Sequence, residues 1–223
     1  MLRAMDVEWL RGLLDRHAGL VRLVTLAPEA DPGCVGIRML VERGVVVALG
    51  HTACSYADAV DAAAAGATLT THLFNGMAPL HHREPGPVGA ALDPRVALRP
   101  TLIADLVHVH PAVVAAVFAA TDPILVSDAV ATDVVYFDSA VTEARGAAYL
   151  ANGTLTGAVA LLDDGVRNAV SVGVPFAAAH AAVSERPSAA LGLTEPTGEI
   201  ELDDALVVRE VWRHGRSVYR RSP

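Results

Sequence analysis

Histidine and aspartate side chains stand at the ends of successive predicted strands, where they could bind a metal ion and activate water. His51 ends one apolar run, His72 lies in the next, His108 follows a third, and Asp128 ends a fourth. In parallel α/β proteins the carboxyl ends of neighbouring strands meet at one rim. Three imidazoles and one carboxylate at such a rim predict a metal-dependent hydrolase, in which the carboxylate accepts the proton of the activated water.

Each of these residues also has a purely structural interpretation. A single histidine at a strand end is commonly a hydrogen-bonded structural group, and Asp128 could cap a following helix. His51 and His72 reinforce each other because they fall on consecutive predicted strands. The polar loop HHREPG at residues 81–86 is typical of a solvated surface, although its arginine could bind a phosphate or carboxylate with two hydrogen bonds.

The elements that must position these residues alternate short β-branched strands with alanine-rich helices. Strands are predicted at 21–29, 45–51, 68–75, within 98–109, and at 123–130. Helices are predicted at 34–43, at 56–65 with Ser55 as N-cap, and from Pro111 onward. Apolar strands separated by helices indicate a parallel sheet covered on both faces, either doubly wound or closed as a (β/α)₈ barrel.

The pattern changes after Asp128. Residues 147–157 predict a hairpin that turns at Asn152-Gly153, and two helices follow at 163–172 and 175–185. Two short strands around His214-Gly215 end the chain.

Composition excludes several classes of protein. Of 223 residues, 52% are hydrophobic and 19% charged, which excludes wholesale disorder. The net charge of −8 argues against nucleic acid as a partner, and no apolar run approaches the roughly 18 residues of a membrane span. Two cysteines provide no disulfide framework, and the first residues lack the apolar stretch of a signal peptide. We therefore expect a cytoplasmic protein.

Five segments in order resemble a known family of enzymes. They are GHTACSYADA, THLFNGMAPLHHREPGPVGA, IADLVHV, LVSDA and GTLTGAVALLDDGVRNAV. Together they look like the successive motifs of the N-acetylglucosamine-6-phosphate deacetylases of the amidohydrolase superfamily. The likeness covers about residues 21–193, and the combination of THLFN, REPG, HV and SDA is far more specific than any one segment.

The resemblance implies a metal-dependent (β/α)₈ barrel with a small β-sandwich built from both chain ends. By this likeness, His51 and His72 would bind a divalent metal, zinc or iron, and Asp128 would act as general base and acid. His108 would contact the substrate and polarise its amide carbonyl. The implied reaction is hydrolysis of the N-acetyl group of N-acetylglucosamine 6-phosphate, giving glucosamine 6-phosphate and acetate in amino-sugar catabolism.

The same resemblance assigns the substrate contacts. Asn75, Gly76 and Arg83 would hold the sugar phosphate, with the arginine able to reach across the interface of a homodimer.

The chain also departs from the family pattern. The Glu-Gly-Pro motif, whose glutamate binds the metal in the family, does not occur, and Glu29 follows Ala-Pro in a different motif. Five barrel strands are predicted where eight close a barrel of about 250 residues. We therefore expect weakened metal binding, a partial barrel domain at 1–195, and a short β segment of the sandwich at 196–223.

Three origins fit these departures: a truncated gene or start site, a degenerate paralogue, or a fragment completed by another chain. Three functions stay open accordingly. The chain is a deacetylase with compromised activity, a non-catalytic protein that binds a sugar phosphate, or an amidohydrolase for a different amide. The REPG and HLFN segments argue against the third, because they match the sugar-phosphate group of the superfamily.

Overall fold

The chain divides into two compact units. A computed structural model describes residues 4–132, 134–136, 139–194 and 198–222. The first unit comprises Met1–Leu102 and Ala120–Pro123, and the second comprises Ile103–Ala119 and Ile124–Pro223. The domain boundary expected between residues 195 and 196 lies outside the described residues, and that division stays a prediction.

The first unit alternates helices with parallel strands, as the sequence predicts. Its helices are α1 (Val7–Arg16), α2 (Val35–Glu42), α3 (Tyr56–Ala64) and α4 (Gly86–Leu92). Its strands are β1 (Leu23–Leu26), β2 (Val46–Leu49), β3 (Leu69–Thr70) and β4 (Arg99–Ile103). They pair in sequence order and all in parallel, with Val24 opposite Val47, Ala48 opposite Leu69, and Thr70 opposite Pro100. Two short 3₁₀ turns, Pro28–Ala30 and Pro32–Cys34, link β1 to α2.

Aliphatic side chains, mainly leucine, valine and alanine, fill the core of this unit. Val47 and Leu49 of β2 are fully buried, as are Ile37 and Leu40 of α2. Helix α3 begins at a capping box in which the Ser55 hydroxyl and the Asp58 carboxylate each bond the other residue's backbone N–H, so the predicted N-cap is confirmed. These contacts anchor the segment that follows His51.

The third strand is shorter than the sequence predicts. Residues 68–75 are predicted as one strand, but β3 ends at Thr70. Beyond it the backbone turns through left-handed conformations at His72 and Phe74, and the N–H of Asn75 closes the turn on the carbonyl of His72. The apolar pattern continued past the true end of the strand because Leu73 is buried within the turn itself.

The second unit combines helices with antiparallel sheets. Its helices are α5 (Pro111–Ala120), α6 (Leu162–Ser171), α7 (Phe176–Ala181) and α8 (Glu185–Ala190). Strand β5 (Ile124–Val126) is the fifth of the series that alternates with helices. One sheet holds β6 (Val134–Tyr136), β7 (Ser139–Ala144), β8 (Ala147–Leu150) and β9 (Leu155–Ala158), and another holds β10 (Gly198–Leu202), β11 (Val208–Arg213) and β12 (Arg216–Arg220).

Local signals located several of these elements correctly. The hairpin between β8 and β9 turns at Asn152-Gly153, where the glycine has φ +83°, and α5 begins at Pro111 as predicted. The helix predicted at 175–185 is instead divided into α7 and α8, and strands β6, β7 and β10 were not predicted. Among the described residues, no helix is both long and apolar enough to cross a membrane.

Candidate active site

Two predicted metal ligands face each other in the first unit. The Nε2 atoms of His51 and His72 lie 2.9 Å apart, and the two rings meet nearly edge-on, at 85° between their planes. His72 is buried, whereas His51 is exposed. If both rings are neutral, one donates its Nε2–H to the bare Nε2 of the other. The residues that the sequence predicts as ligands are therefore brought together through the nitrogens that would bind a metal.

Unusual backbone conformations aim both rings. His51 has φ +48° and His72 has φ +33°, a region that side chains with a Cβ enter rarely and at a cost. Gly50 makes the close approach of the strands possible, because a Cβ there would lie 2.7 Å from Cβ of Thr71 and 2.8 Å from Cγ2 of Thr25. Strained residues at the ends of β2 and β3 thus coincide with the predicted ligands.

A carboxylate from the end of β1 holds the segment after His51. Glu29 accepts hydrogen bonds from the hydroxyl of Thr52 and, at 2.8 Å, from the backbone N–H of Ala53. Both carboxylate oxygens are therefore engaged in shaping this segment. Glu29 thus acts on the position of the loop, and the expectation that it does not replace the absent glutamate ligand stays a prediction.

Asn75 and Gly76 border the histidine pair. The Asn75 side-chain amide donates to the carbonyls of His72 and Leu73, at 3.3 Å each. Gly76 has φ +61°, and a Cβ on it would lie 2.9 Å from Nδ1 of His51. A side chain at position 76 would therefore displace the His51 ring. Four of the predicted site residues lie together in the first unit.

Arg83 is placed on an exposed loop with histidine neighbours. Its Nη1 lies 2.8 Å from Nε2 of His82, and its backbone N–H donates to Nδ1 of His81. The next residue, Glu84, accepts a hydrogen bond from the backbone N–H of Tyr56 at the start of α3. The loop is thus tied to the helix that follows His51, but the described contacts of Arg83 do not join it to the histidine pair.

In the second unit, His108 is paired with a buried carboxylate. Nδ1 of His108 lies 2.6 Å from Oδ2 of Asp105, and these side chains are 5% and 1% exposed. The other oxygen of Asp105 accepts the backbone N–H groups of Val107 and His108. Burial alone would raise the pKa of Asp105, but these hydrogen bonds, led by that from the His108 side chain, hold its pKa below the usual value. This contact places the proton of a neutral His108 ring on Nδ1.

Asp128 also has a left-handed backbone and is tied to strand β9. Its φ is +48°, its carbonyl accepts the N–H of Ala158, and the neighbouring Val130 N–H donates to the carbonyl of Ala158. Gly157 permits this contact, because a Cβ there would lie 3.0 Å from the carbonyl oxygen of Asp128 and 2.8 Å from Cγ1 of Val130. Asp128 and the histidine pair belong to different units, and their joint action stays a prediction.

The histidine pair fits part of a metal site. Two nitrogens at 2.0–2.1 Å from a tetrahedral ion are separated by about 3.3 Å, so a small opening of the 2.9 Å contact accommodates one. Among the described residues, however, no group of three or more His, Cys, Asp or Glu side chains is arranged to hold a metal ion. Burial raises the pKa of the Cys54 thiol to about 11, so in the absence of a metal it stays protonated at neutral pH.

Sequence reasoning missed three positions that shape the site. Asp105 was not singled out, although an aspartate three residues before a histidine at a strand end is a recognisable signal for a paired imidazole. Glu29 was considered only as a ligand. Thr101 looked like one polar residue in an apolar strand, and its partner, the backbone of His72, cannot be inferred from sequence spacing.

Comparison with known proteins relates the chain to one group of enzymes. No model of a known protein family matches it. It is 38% identical to the N-acetylglucosamine-6-phosphate deacetylase of Bacillus subtilis over 176 residues, which are 75% of this chain and 44% of that protein. It is 34% identical to the N-acetylgalactosamine-6-phosphate deacetylase of Escherichia coli, over 97% of this chain and 62% of that protein.

A solved structure gives the same relationship. A variant of N-acetyl-D-glucosamine-6-phosphate deacetylase from Mycobacterium smegmatis, in complex with N-acetyl-D-glucosamine-6-phosphate, matches with a TM-score of 0.89 and 34% identity. The chain is homologous to the N-acetylglucosamine-6-phosphate deacetylases. The resemblance read from the sequence is therefore confirmed, and so is the fold class, α/β with an incomplete (β/α)₈-type barrel and a C-terminal β segment.

The match covers nearly all of this chain but only part of each relative. The aligned region is 97% of this chain and 62% of the Mycobacterium smegmatis protein. The chain thus spans between 44% and 62% of the length of the three proteins named.

Proposed function

We propose that the chain carries the amide-hydrolysing centre of an amino-sugar-phosphate deacetylase. The reaction is hydrolysis of the N-acetyl group of N-acetylglucosamine 6-phosphate to glucosamine 6-phosphate and acetate. The observation that carries this proposal is the pair of Nε2 atoms of His51 and His72, 2.9 Å apart, in a chain homologous to enzymes named for that reaction.

His51 and His72 would hold a divalent metal through Nε2. A zinc or iron ion bound there would supply a Lewis acid for water and for the amide carbonyl. Two histidines are fewer than the three protein ligands usual in a catalytic zinc site, and the Glu-Gly-Pro motif does not occur in this sequence, so a low affinity for metal is expected.

The proton steps fall to residues of the second unit. Asp128 would accept a proton from water and deliver it to the leaving amine, as a general base and then a general acid. His108, held through Nδ1 by Asp105, would direct Nε2 to the carbonyl oxygen of the amide. The buried carboxylate supports a proton on Nδ1 and leaves Nε2 for the substrate.

Recognition of the sugar phosphate is assigned to Asn75, Gly76 and Arg83. The guanidinium of Arg83 suits a phosphate, which it can bind with two hydrogen bonds, and its exposure leaves it accessible. A homodimer and a cytoplasmic location remain sequence-based predictions.

A second candidate function is binding of a sugar phosphate without catalysis. One observation favours it: among the described residues, no group of three or more His, Cys, Asp or Glu side chains is arranged to hold a metal ion. An N-acetylgalactosamine 6-phosphate substrate is a further alternative, since one relative is named for it. The assay must therefore offer both sugar phosphates.

Acetate release from both sugar phosphates by the purified chain, with zinc or iron added, tests the proposal. Asp128→Asn is expected to lower turnover by about 10²- to 10⁴-fold, because general acid–base catalysis contributes that much. Asp204→Asn, at an exposed carboxylate of the same unit, is the matched control and leaves turnover unchanged. Turnover that survives Asp128→Asn contradicts the assigned base.

Binding measurements separate the two candidate functions. Saturable binding of the sugar phosphate without metal and without turnover, lost in Arg83→Ala but kept in the exposed control Arg216→Ala, supports the non-catalytic function. Metal-dependent acetate release supports the deacetylase.

A further inference from the structure

A threonine of β4 holds the backbone at the buried histidine. The N–H of His72 donates to the hydroxyl oxygen of Thr101 at 2.7 Å, and the N–H of Leu73 donates to the carbonyl of Thr101, also at 2.7 Å. Both donors belong to the left-handed turn in which His72 has φ +33°. One residue of the neighbouring strand thus receives two successive N–H groups of the turn that aims the ring.

The hydroxyl of Thr101 has a specific task in this arrangement. His72 and Thr101 are 6% and 8% exposed, so water does not replace a lost partner for the His72 N–H without a rearrangement. A buried N–H without an acceptor is costly, and the strained turn is the part of the backbone able to relax. Relaxation there would move the imidazole, whose Nε2 lies 2.9 Å from that of His51.

A neighbouring threonine provides an internal comparison. Thr70, at the end of β3, is fully buried, and its hydroxyl oxygen has no hydrogen-bond partner within the described part of the chain. Replacing either threonine by valine removes one buried hydroxyl at nearly constant volume. Only the change at position 101 removes an acceptor from the histidine turn.

We infer that Thr101 is a positioning residue that holds the ring of His72 against the ring of His51. Its hydroxyl keeps the turn in its left-handed conformation, and thereby keeps the two Nε2 atoms 2.9 Å apart, a separation at which they share one proton and from which a small opening admits one ion. The consequence for metal binding rests on the proposed function, whereas the consequence for the ring contact does not. Thr101 touches neither the metal nor the substrate in this scheme.

The test uses the full chain with Thr101→Val, Thr101→Ser and the control Thr70→Val. In metal-free protein, the Nε2–H shared by the two rings is followed by ¹H–¹⁵N NMR of the imidazoles. Zinc affinity is measured separately by competition with a chelating dye. We expect Thr101→Val to lose the shared ring signal and to bind zinc about 10-fold more weakly, within the range known for groups that orient ligands. Thr101→Ser, which restores the acceptor, and Thr70→Val are expected to match the unaltered chain.

The outcomes separate this inference from the proposed function. A shared ring signal that persists in Thr101→Val, or an equal loss in Thr70→Val, overturns the role of Thr101. If the unaltered chain binds no zinc but the ring signal is lost only in Thr101→Val, the inference about positioning holds and the proposed metal function fails. Should Thr101→Val not fold, Thr101→Ala, which adds no bulk to the strand, takes its place with the same expectations.

Discussion

His72 in the first unit and His108 in the second both have nearly buried side chains, yet their partners differ in charge. His72 contacts the ring of His51 and, through its backbone, the hydroxyl of Thr101. His108 contacts the carboxylate of Asp105, which is 1% exposed. Among the contacts described, His72 therefore meets an imidazole and a hydroxyl, and His108 meets a buried carboxylate.

The difference corresponds to two uses of an imidazole. Neutral surroundings suit a ring that binds a metal through Nε2, because the ligand nitrogen must be free of its proton. A carboxylate on Nδ1 fixes the proton there and orients the opposite nitrogen, which suits a ring that contacts a substrate. In the proposed function, His72 would take the first of these tasks and His108 the second.

Asp105→Asn changes the charged side of this comparison and has the largest expected effect. The substitution keeps the shape but removes a buried charge partner of His108, so we expect the free energy of unfolding at pH 7 to fall by about 2 to 3 kcal/mol. The pKa of Asp105 is held below its usual value, so its contribution is present above the unfolded pKa of about 3.9 and is lost as the pH falls through the folded pKa.

Urea unfolding at a series of pH values measures this effect. The difference between the unaltered chain and Asp105→Asn is expected to be constant near neutral pH and to shrink below about pH 4. Asp204→Asn, at an exposed carboxylate, is the control and is expected to change little at any pH. A difference that grows in acid would contradict the assigned direction of the pKa.

The features that could be predicted from the sequence depend on residues close together in the chain. The ligand types at strand ends, the capping box at Ser55 and the turn at Asn152-Gly153 depend on neighbours within a few positions, and the structure has them where local rules place them. The predicted contact of His51 with His72 also follows from consecutive parallel strands, since their ends meet.

Hydrogen bonds between the backbone and residues far along the chain could not be predicted from local signals. The third strand was predicted to run to Asn75 because its apolar pattern continues, but the left-handed turn at His72 ends it after Thr70. That turn depends on an acceptor 29 positions away, at Thr101. Hydrogen bonds between a side chain and a distant segment leave no periodic signal, so Glu29, whose partners are 23 and 24 positions away, was missed for the same reason. Asp105 differs, because its partners Val107 and His108 are only two and three positions away.

Gly157→Ala tests whether the second unit also relies on a tight backbone contact. The added Cβ would lie 2.8 Å from Cγ1 of Val130 and 3.0 Å from the carbonyl oxygen of Asp128, so the neighbouring chain must shift. We expect a loss of about 1 to 2 kcal/mol in unfolding free energy, the usual cost of overpacking, together with reduced turnover, because Asp128 is displaced.

Gly165→Ala is the matched control for this substitution. Its Cβ meets nothing closer than 3.8 Å, and it lies within helix α6, where alanine is preferred to glycine. It should leave activity unchanged and raise stability slightly. Equal effects of the two substitutions would mean that the bridge between Asp128 and β9 does not constrain the carboxylate.

Thr25→Val tests the neutral side of the comparison and has the smallest expected effect. The hydroxyls of Thr25 and Thr71 lie 2.8 Å apart, and Thr25 is exposed, so water can partly replace the lost partner. We expect a loss of about 0.5 to 1 kcal/mol, the usual net value of such a hydrogen bond. Because neither group titrates, this loss should be the same at pH 4 and pH 7, in contrast to that of Asp105→Asn. A pH-dependent loss in Thr25→Val would show that this hydrogen bond is coupled to a titrating group, and its contrast with the Asp105 carboxylate would fail.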